Sequence, residues 1–250
     1  MRKVYATSDW HGIDKKLIEK ILKWLKPEDT LVILGDVIDR GEDGIDLLEM
    51  IMADSRCLLL KGNHEQMMID TYQTHTRSSW NLWMQNGGEA TENAFYKRTE
   101  QERKKIIKFL SEAPIKWCFR FGKKIILLEH AGYTPTLEYN HDPLWDRYHF
   151  IESWPKDKEN TYIVHGHTPV QYLKFEFDYC GKDAQGSLDE EMEIKRQWYE
   201  NGIIDWKPTI LCYCDGHKFD IDMGAISSKR IALLDLDTFE PIYFDEKEGE

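Results

Sequence analysis

Five short segments of this sequence concentrate side chains that bind hard or borderline cations: Asp9-Trp10-His11-Gly12, Gly35-Asp36-Val37-Ile38-Asp39-Arg40-Gly41, Gly62-Asn63-His64-Glu65, His130-Ala131-Gly132 and His165-Gly166-His167. Carboxylate, imidazole and amide ligands without thiolate suit manganese, iron or zinc in a reactive site better than a structural zinc. Arg40 adds a guanidinium fork, which matches two oxygens of a phosphate and keeps its charge at any working pH. Taken singly, each segment is ordinary, because Asp, Asn and Gly are the common residues of strand-to-helix loops. Five in succession, each just after an apolar strand, call for a shared purpose.

The elements that must position them are legible from periodicity. A strand is expected over Lys3 to Thr7, an amphipathic helix over Lys15 to Leu25 that stops before Pro27, an apolar strand over Leu31 to Leu34, a helix over Gly44 to Met52 and a strand over Cys57 to Leu60. This alternation predicts an α/β core with a largely parallel sheet covered on both faces. Loops beyond the carboxyl ends of such strands form a crevice, so the five segments are expected to meet at one point. Residues 66–112 read as a helical insertion. Its aromatics Tyr72, Trp80, Trp83, Phe95 and Tyr96 are expected to pack against the core, a wall facing substrate being the other reading. Further strands are expected over Lys116 to Phe121, Lys124 to Leu128, Thr161 to Val164, Thr209 to Cys214, Lys218 to Asp222, Ile231 to Leu236 and Ile242 to Phe244, with Asp215-Gly216 as a hairpin turn. Residues 178–207 are polar and acidic and read as a solvated helical insertion. With no repeat, low-complexity tract or clear linker, residues 1–250 are expected to form a single domain.

Composition excludes several classes. Lys plus Arg number 33 against 45 Asp plus Glu, and the formal charge of -12 opposes binding to nucleic acid. No window approaches the roughly 18 consecutive apolar residues of a membrane span. Thr7, Ser8 and Asp9 interrupt any export signal, so a cytoplasmic protein is expected. Five cysteines fit a reducing compartment better than a disulfide framework.

In this order and spacing, the motifs resemble those of the calcineurin-like metallophosphoesterases, and more narrowly the phosphoprotein phosphatase branch with its bacterial members and the neighbouring diadenosine tetraphosphate hydrolases. The resemblance runs from Asp9 through His167 and resumes at Asp220-Ile221-Asp222-Met223-Gly224-Ala225. Residues 66–112 and 174–208 match nothing in it. Ser8 stands where many relatives have Gly, and His130-Ala131-Gly132 replaces the two glycines of eukaryotic members; both point to a bacterial-type member. Gly166-His167-Thr168-Pro169 lacks the second His that many phosphodiesterases carry at the place of Pro169, which favours the phosphatase branch.

The resemblance implies a four-layer α-β-β-α sandwich with two mixed sheets and two divalent ions, manganese first, with iron and zinc as alternatives. It assigns Asp9, His11 and Asp36 to one ion and Asp36, Asn63, His130 and His167 to the other, with Asp36 bridging. A shared carboxylate suits two cations that otherwise repel. His64, paired to Asp39, is the implied general acid. Arg40 and Arg147 are the implied phosphate clamps, Arg147 within Pro143-Leu144-Trp145-Asp146-Arg147, with a surface ion pair to Asp146 or Asp142 as its other reading. The implied reaction is direct attack of metal-bound hydroxide on a phosphomonoester, with phosphoserine or phosphothreonine in proteins as first substrate. The alternatives are diadenosine tetraphosphate or another nucleotide, and, more remotely, a non-catalytic phosphate-binding protein. Partners beyond a phosphorylated protein or small phosphoester, and the oligomeric state, are not legible. Gly12, Gly35 and Gly62 are expected to let the ligand loops turn tightly. His165 receives no role; His75, His141 and His149 are expected at the surface. Cys180, Cys212, Cys214 and His217 are read as packing residues rather than a zinc site.

Overall fold

The computed structural model describes residues 2–135, 141–150, 152–171 and 207–246. The expected 178–207 insertion and Cys180 therefore lie outside the described residues, apart from Lys207.

Strands β1 (Val4–Thr7), β2 (Thr30–Ile33) and β3 (Cys57–Leu59) run parallel, joined by helices α1 (Lys15–Trp24) and α2 (Gly44–Ala53). Helix α1 starts where the Asp14 carboxylate accepts the Lys16 N–H, and it buries Leu17, Ile18 and Ile21 on one face. After β3 come four helices, α3 (Asn63–Thr74), α4 (Arg77–Gln85), α5 (Glu89–Tyr96) and α6 (Glu100–Glu112). The helical insertion thus exists and begins at Asn63 itself, so its first turn carries site residues.

Strands β4 (Lys116–Phe121), β5 (Lys124–Glu129), β6 (Thr161–His165), β7 (Leu211–Tyr213) and β8 (Lys218–Asp220) follow, then a short helix α7 (Ala225–Ser228) and strands β9 (Arg230–Asp235) and β10 (Pro241–Asp245). They form two five-stranded sheets, ordered β10-β9-β1-β2-β3 and β4-β5-β6-β8-β7. Both are mixed, each with a parallel trio: β1, β2 and β3 at one end of the first, β5, β6 and β8 at the centre of the second. The single largely parallel sheet expected from the alternation is therefore two sheets, the arrangement the resemblance implies. Antiparallel β9 and β10 complete the first from the far end of the chain.

The strands are apolar on both faces because both faces are covered. Tyr5, Leu31, Ile33 and Leu233 pack toward the helices, with Leu17, Ile45, Met68 and Phe95 in the same cluster. Val4, Ala6, Val32 and Leu34 face the second sheet, meeting Ile126, Leu128, Val164 and Phe219. Against the second sheet, Phe150, from a 3-10 turn over Tyr148–Phe150, stacks on Tyr213, and Trp154 stacks on His217. No helix among the described residues is long and apolar enough to cross a membrane.

Candidate active site

All five segments sit at carboxyl ends of parallel strands, as the crevice argument predicts. Asp9 and His11 follow β1, Asp36 to Arg40 follow β2, Asn63 and His64 open α3 after β3, His130 follows β5 and His167 follows β6. Asp9, His11, Asp36, Asp39, Arg40 and His167 all adopt left-handed backbone, with φ between 46 and 72°. The ligand residues themselves form the corners, beyond the glycines expected to do so. Gly12 and Gly35 do have positive φ, but Gly62, at φ -96°, serves close approach instead. A Cβ there would meet Asp36 Oδ1 at 2.1 Å.

Asp36 is the common member of two groups whose ligand atoms converge, His11 with Asp36 and His64, and Asp36 with His130 and His167. Asp36 Oδ2 lies 3.3 Å from His130 Nε2, 3.7 Å from His11 Nε2 and 3.9 Å from His64 Nε2. Asp9 Oδ1 lies 3.7 Å from His11 Nε2, so Asp9 faces the first group. Asn63 Oδ1 sits 2.9 Å from His130 Nε2 and 3.2 Å from His167 Nδ1, within the second. His11 Nδ1 contacts Ile38 O at 3.1 Å and His130 Nδ1 contacts Leu34 O at 2.7 Å. These carbonyls can only accept, which puts the hydrogen on Nδ1 and leaves each Nε2 lone pair facing the centre. Asp9 Oδ1, which faces the first group, is one of the buried polar atoms without a hydrogen-bond partner, and a cation would complete it. The donor set fits two divalent ions.

The charges of the cluster offset one another. Burial and the neighbouring Asp36 push the Asp9 carboxyl up to about 6, with His130 opposing. Burial would also raise Asp36, yet His130, His64 and His11 hold it well below the usual carboxylate range. Burial opposes a charge on His130, but Asp36 and Asp9 outweigh it and raise its pKa to about 10. A guanidinium acts similarly: Arg40 Nη1 donates to His11 Nε2 at 2.8 Å and Nη2 to His64 Nε2 at 3.2 Å.

His64 Nδ1 lies 2.7 Å from Asp39 Oδ2, the expected pair. Burial opposes its protonation, but Asp36 and Asp39 prevail and raise its pKa above the ordinary value. Arg147 places Nε 3.1 Å from Thr168 Oγ1, beside His167. Asp142 and Asp146 are engaged elsewhere, accepting the Leu144 and Tyr148 backbone N–H groups, and among the described residues Arg147 has no carboxylate partner. The surface ion-pair reading is therefore not what is seen.

Sequence reasoning missed several residues. Glu65 is fully buried, and its carboxylate accepts the backbone N–H groups of Asp36, Val37 and Gly62 at 2.8 to 2.9 Å, holding two ligand loops together. Its place after Asn63-His64 was the available signal. Trp83 Nε1 donates to both Asp39 oxygens, and Trp145, 41% exposed, stands edge-on to His167 with ring centroids 6.0 Å apart. Two histidines expected at the surface are not there. His149 is fully buried, its Nδ1 3.0 Å from Tyr213 Oη, and His141 is half-buried against Glu129. His75 is exposed as expected. His165, left without a role, contacts Tyr213 Oη through Nε2 at 2.7 Å; burial lowers its pKa to about 3, as befits a neutral core histidine. Cys57, Cys118 and Cys212 are free thiols, Cys212 exposed rather than packed as expected, and Cys214 is buried and disulfide-bonded, a departure from the expected reducing-compartment usage.

Comparison with known proteins agrees with this geometry. Residues 2–221 match the calcineurin-like phosphoesterase family. Serine/threonine-protein phosphatase 1 of Salmonella typhimurium strain LT2 is 27% identical over 179 residues, covering 68% of this chain and 80% of that protein. Among solved structures, a provisionally assigned diadenosine tetraphosphatase superposes with TM-score 0.59 at 14% identity, covering 98% of this chain and 94% of that one. A protein serine/threonine phosphatase of Saccharomyces cerevisiae superposes with TM-score 0.53 at 12% identity, covering 99% and 81%. At such identities the superpositions speak for the fold alone. With the family motifs filled, the ligand atoms converging on Asp36 and most of its length matched, this chain belongs to the calcineurin-like phosphoesterases and is a phosphoric ester hydrolase.

Proposed function

We propose that the chain is a serine/threonine protein phosphatase that hydrolyses phosphomonoesters with two divalent ions, manganese by preference. The observation that carries this reading is the convergence of two ligand groups on the shared Asp36, with the His64–Asp39 pair and two arginines at the rim. Asp9, His11 and Asp36 would hold one ion, and Asp36, Asn63, His130 and His167 the other. When bound, such ions neutralise phosphate oxygens and lower the pKa of a water enough to make a nucleophile.

The chain's own residues do the rest. Arg40 and Arg147 flank the site and bind the phosphate dianion through guanidinium forks. Arg40 presently donates to His64 Nε2, a group it can only donate to, so that nitrogen gains its proton once Arg40 turns to the substrate. Asp39 keeps the Nδ1 hydrogen in place, and His64 Nε2 then donates to the departing alkoxide. Support for a phosphoprotein substrate comes from the Salmonella relative's name and coverage, and from Pro169 where a diesterase would have histidine.

A nucleotide substrate is the second reading, favoured by the exposed Trp145 beside His167, a ring on which a base could stack. One experiment separates them. Manganese-loaded protein is offered phosphoserine and phosphothreonine peptides, nucleoside monophosphates, diadenosine tetraphosphate and a bis-ester. Higher kcat/KM on the peptides is the expected outcome; a preference for diadenosine tetraphosphate would move the protein to the second reading, and a preference for the bis-ester would refute the monoesterase assignment.

A further inference from the structure

The Asp39–Arg40 corner is held from outside the motif that contains it. Two successive residues other than glycine take left-handed backbone there, with φ 72 and 68°. Such a corner persists only where surrounding contacts over-determine it. Those contacts come from the helical insertion. Asp39 N–H donates to Thr91 Oγ1 at 2.8 Å, from α5. Arg40 N–H donates to Gly87 O at 2.9 Å, from the turn between α4 and α5. From α4, Trp83 Nε1–H donates to Asp39 Oδ2 at 2.9 Å and to Oδ1 at 3.1 Å.

Trp83 is fully buried, and its ring cannot drift. Gly88 closes over it, so tightly that a Cβ on Gly88 would sit 2.7 Å from Nε1. Tyr72 meets its face edge-on at 6.4 Å. An indole has one hydrogen and no acceptor. By aiming that hydrogen between the two oxygens of Asp39, it fixes the plane of the carboxylate, whose Oδ2 is then left pointing at His64 Nδ1, 2.7 Å away. Asp39 is fully buried, and Trp83 Nε1 and His64 Nδ1 are the hydrogen-bond partners of its carboxylate among the described residues.

We propose that Trp83 is a positioning residue of the His64–Asp39 pair, and that the helical insertion is the device that presets this pair for proton transfer. The inference rests on His64 being the general acid. It assigns the insertion a part in the reaction itself, through three contacts that converge on two residues.

The test is kinetic. In Trp83→Phe the ring remains and the N–H is lost; replacing Trp83 by 3-benzothienylalanine keeps the bicyclic shape as well, so that a folding defect in the first variant does not decide the matter. Parent, both variants, His64→Asn, Asp39→Asn and Trp83→Phe/Asp39→Asn are compared on a phosphoserine peptide and on an aryl phosphate, with metal content measured for each. Loss of the N–H should lower kcat on the peptide by about tenfold, as for other groups that orient a catalytic side chain, with KM and metal content unchanged. On the aryl phosphate, whose phenolate leaves without much help, the loss should stay within about twofold. In the Asp39→Asn background, Trp83→Phe should add nothing, because its effect passes through that carboxylate. Equal losses on both esters, or losses that multiply in the double variant, would overturn the role of Trp83 while leaving His64 intact. A deficit in His64→Asn that ignores the leaving group would instead overturn the general acid, and this inference with it.

Discussion

Left-handed backbone at a residue other than glycine costs about 1–2 kcal/mol, and here six such residues face one point: Asp9, His11, Asp36, Asp39, Arg40 and His167. Backbone groups and Glu65 hold the Asp36 loop there, within a buried cluster of carboxylates and imidazoles. Among them Asp36 has the most partners, since three imidazoles aim at its Oδ2. In the proposed arrangement, removing it would leave both ion sites without their shared counter-charge, whereas removing Asn63 would take an amide from one. Asp36→Ala is therefore expected to lose about a thousandfold or more in kcat and most bound metal, and Asn63→Ala only about ten- to hundredfold, with one ion retained. Elemental analysis of both variants beside their kinetics checks this; near-normal metal and turnover in Asp36→Ala would remove it from the bridge.

At the scale of elements, β1, β2, β3, β5 and β6 each end at a segment with proposed ligands, and the segments between strands decide how those ends are held. Strand β8 is instructive because Lys218 is fully buried yet cationic by type. Its Nζ donates to Thr134 Oγ1 at 2.6 Å and to the His149 carbonyl, so β8 holds the turn that follows Arg147. Burial lowers its pKa to about 7, from an ordinary value of 10.5. Between those two pH values the unfolded chain binds more protons at this site than the folded chain, so stability gained from this residue rises with pH across that window. Measured by urea unfolding from pH 6 to 10, the stability of the parent relative to Lys218→Met should improve with pH, by an amount on the order of a few kcal/mol. A difference that stays flat with pH would mean that Lys218 keeps its charge in the fold.

For the whole molecule, the formal charge of -12 is an excess of acidic groups, and cations that bind only the folded chain should stabilise it. At about a hundredfold excess over Kd, each site contributes about 2.7 kcal/mol. Manganese is expected to raise Tm by several degrees over chelator-treated protein in a thermal melt, and the rise should largely vanish in Asp36→Ala. An equal rise in that variant would place the stabilising ions elsewhere on the acidic surface.

What the sequence by itself determined is local. Each strand with its loop of Asp, His, Asn and Gly is written in a few neighbouring residues, and the bounds of β4 match the expected ones residue for residue, while those of β5 extend one residue beyond them. The proposed ligand set, the His64–Asp39 pair and Arg40 came from the resemblance that those contiguous motifs carry, and the structure brings His64 Nδ1 within 2.7 Å of Asp39 Oδ2. Tertiary structure alone decided how ten strands divide into two mixed sheets, because β9 and β10 join β1 from the far end of the chain. It also buried His149 and left Arg147 beside Thr168. The clearest case is Trp83, which reads in sequence as one more aromatic of an amphipathic helix and in the fold donates to a carboxylate 44 residues away. No local pattern encodes that contact: a hydrogen bond is a matter of distance in space, and the packing of α4 and Gly87 against the loop after β2 brings the two groups within reach.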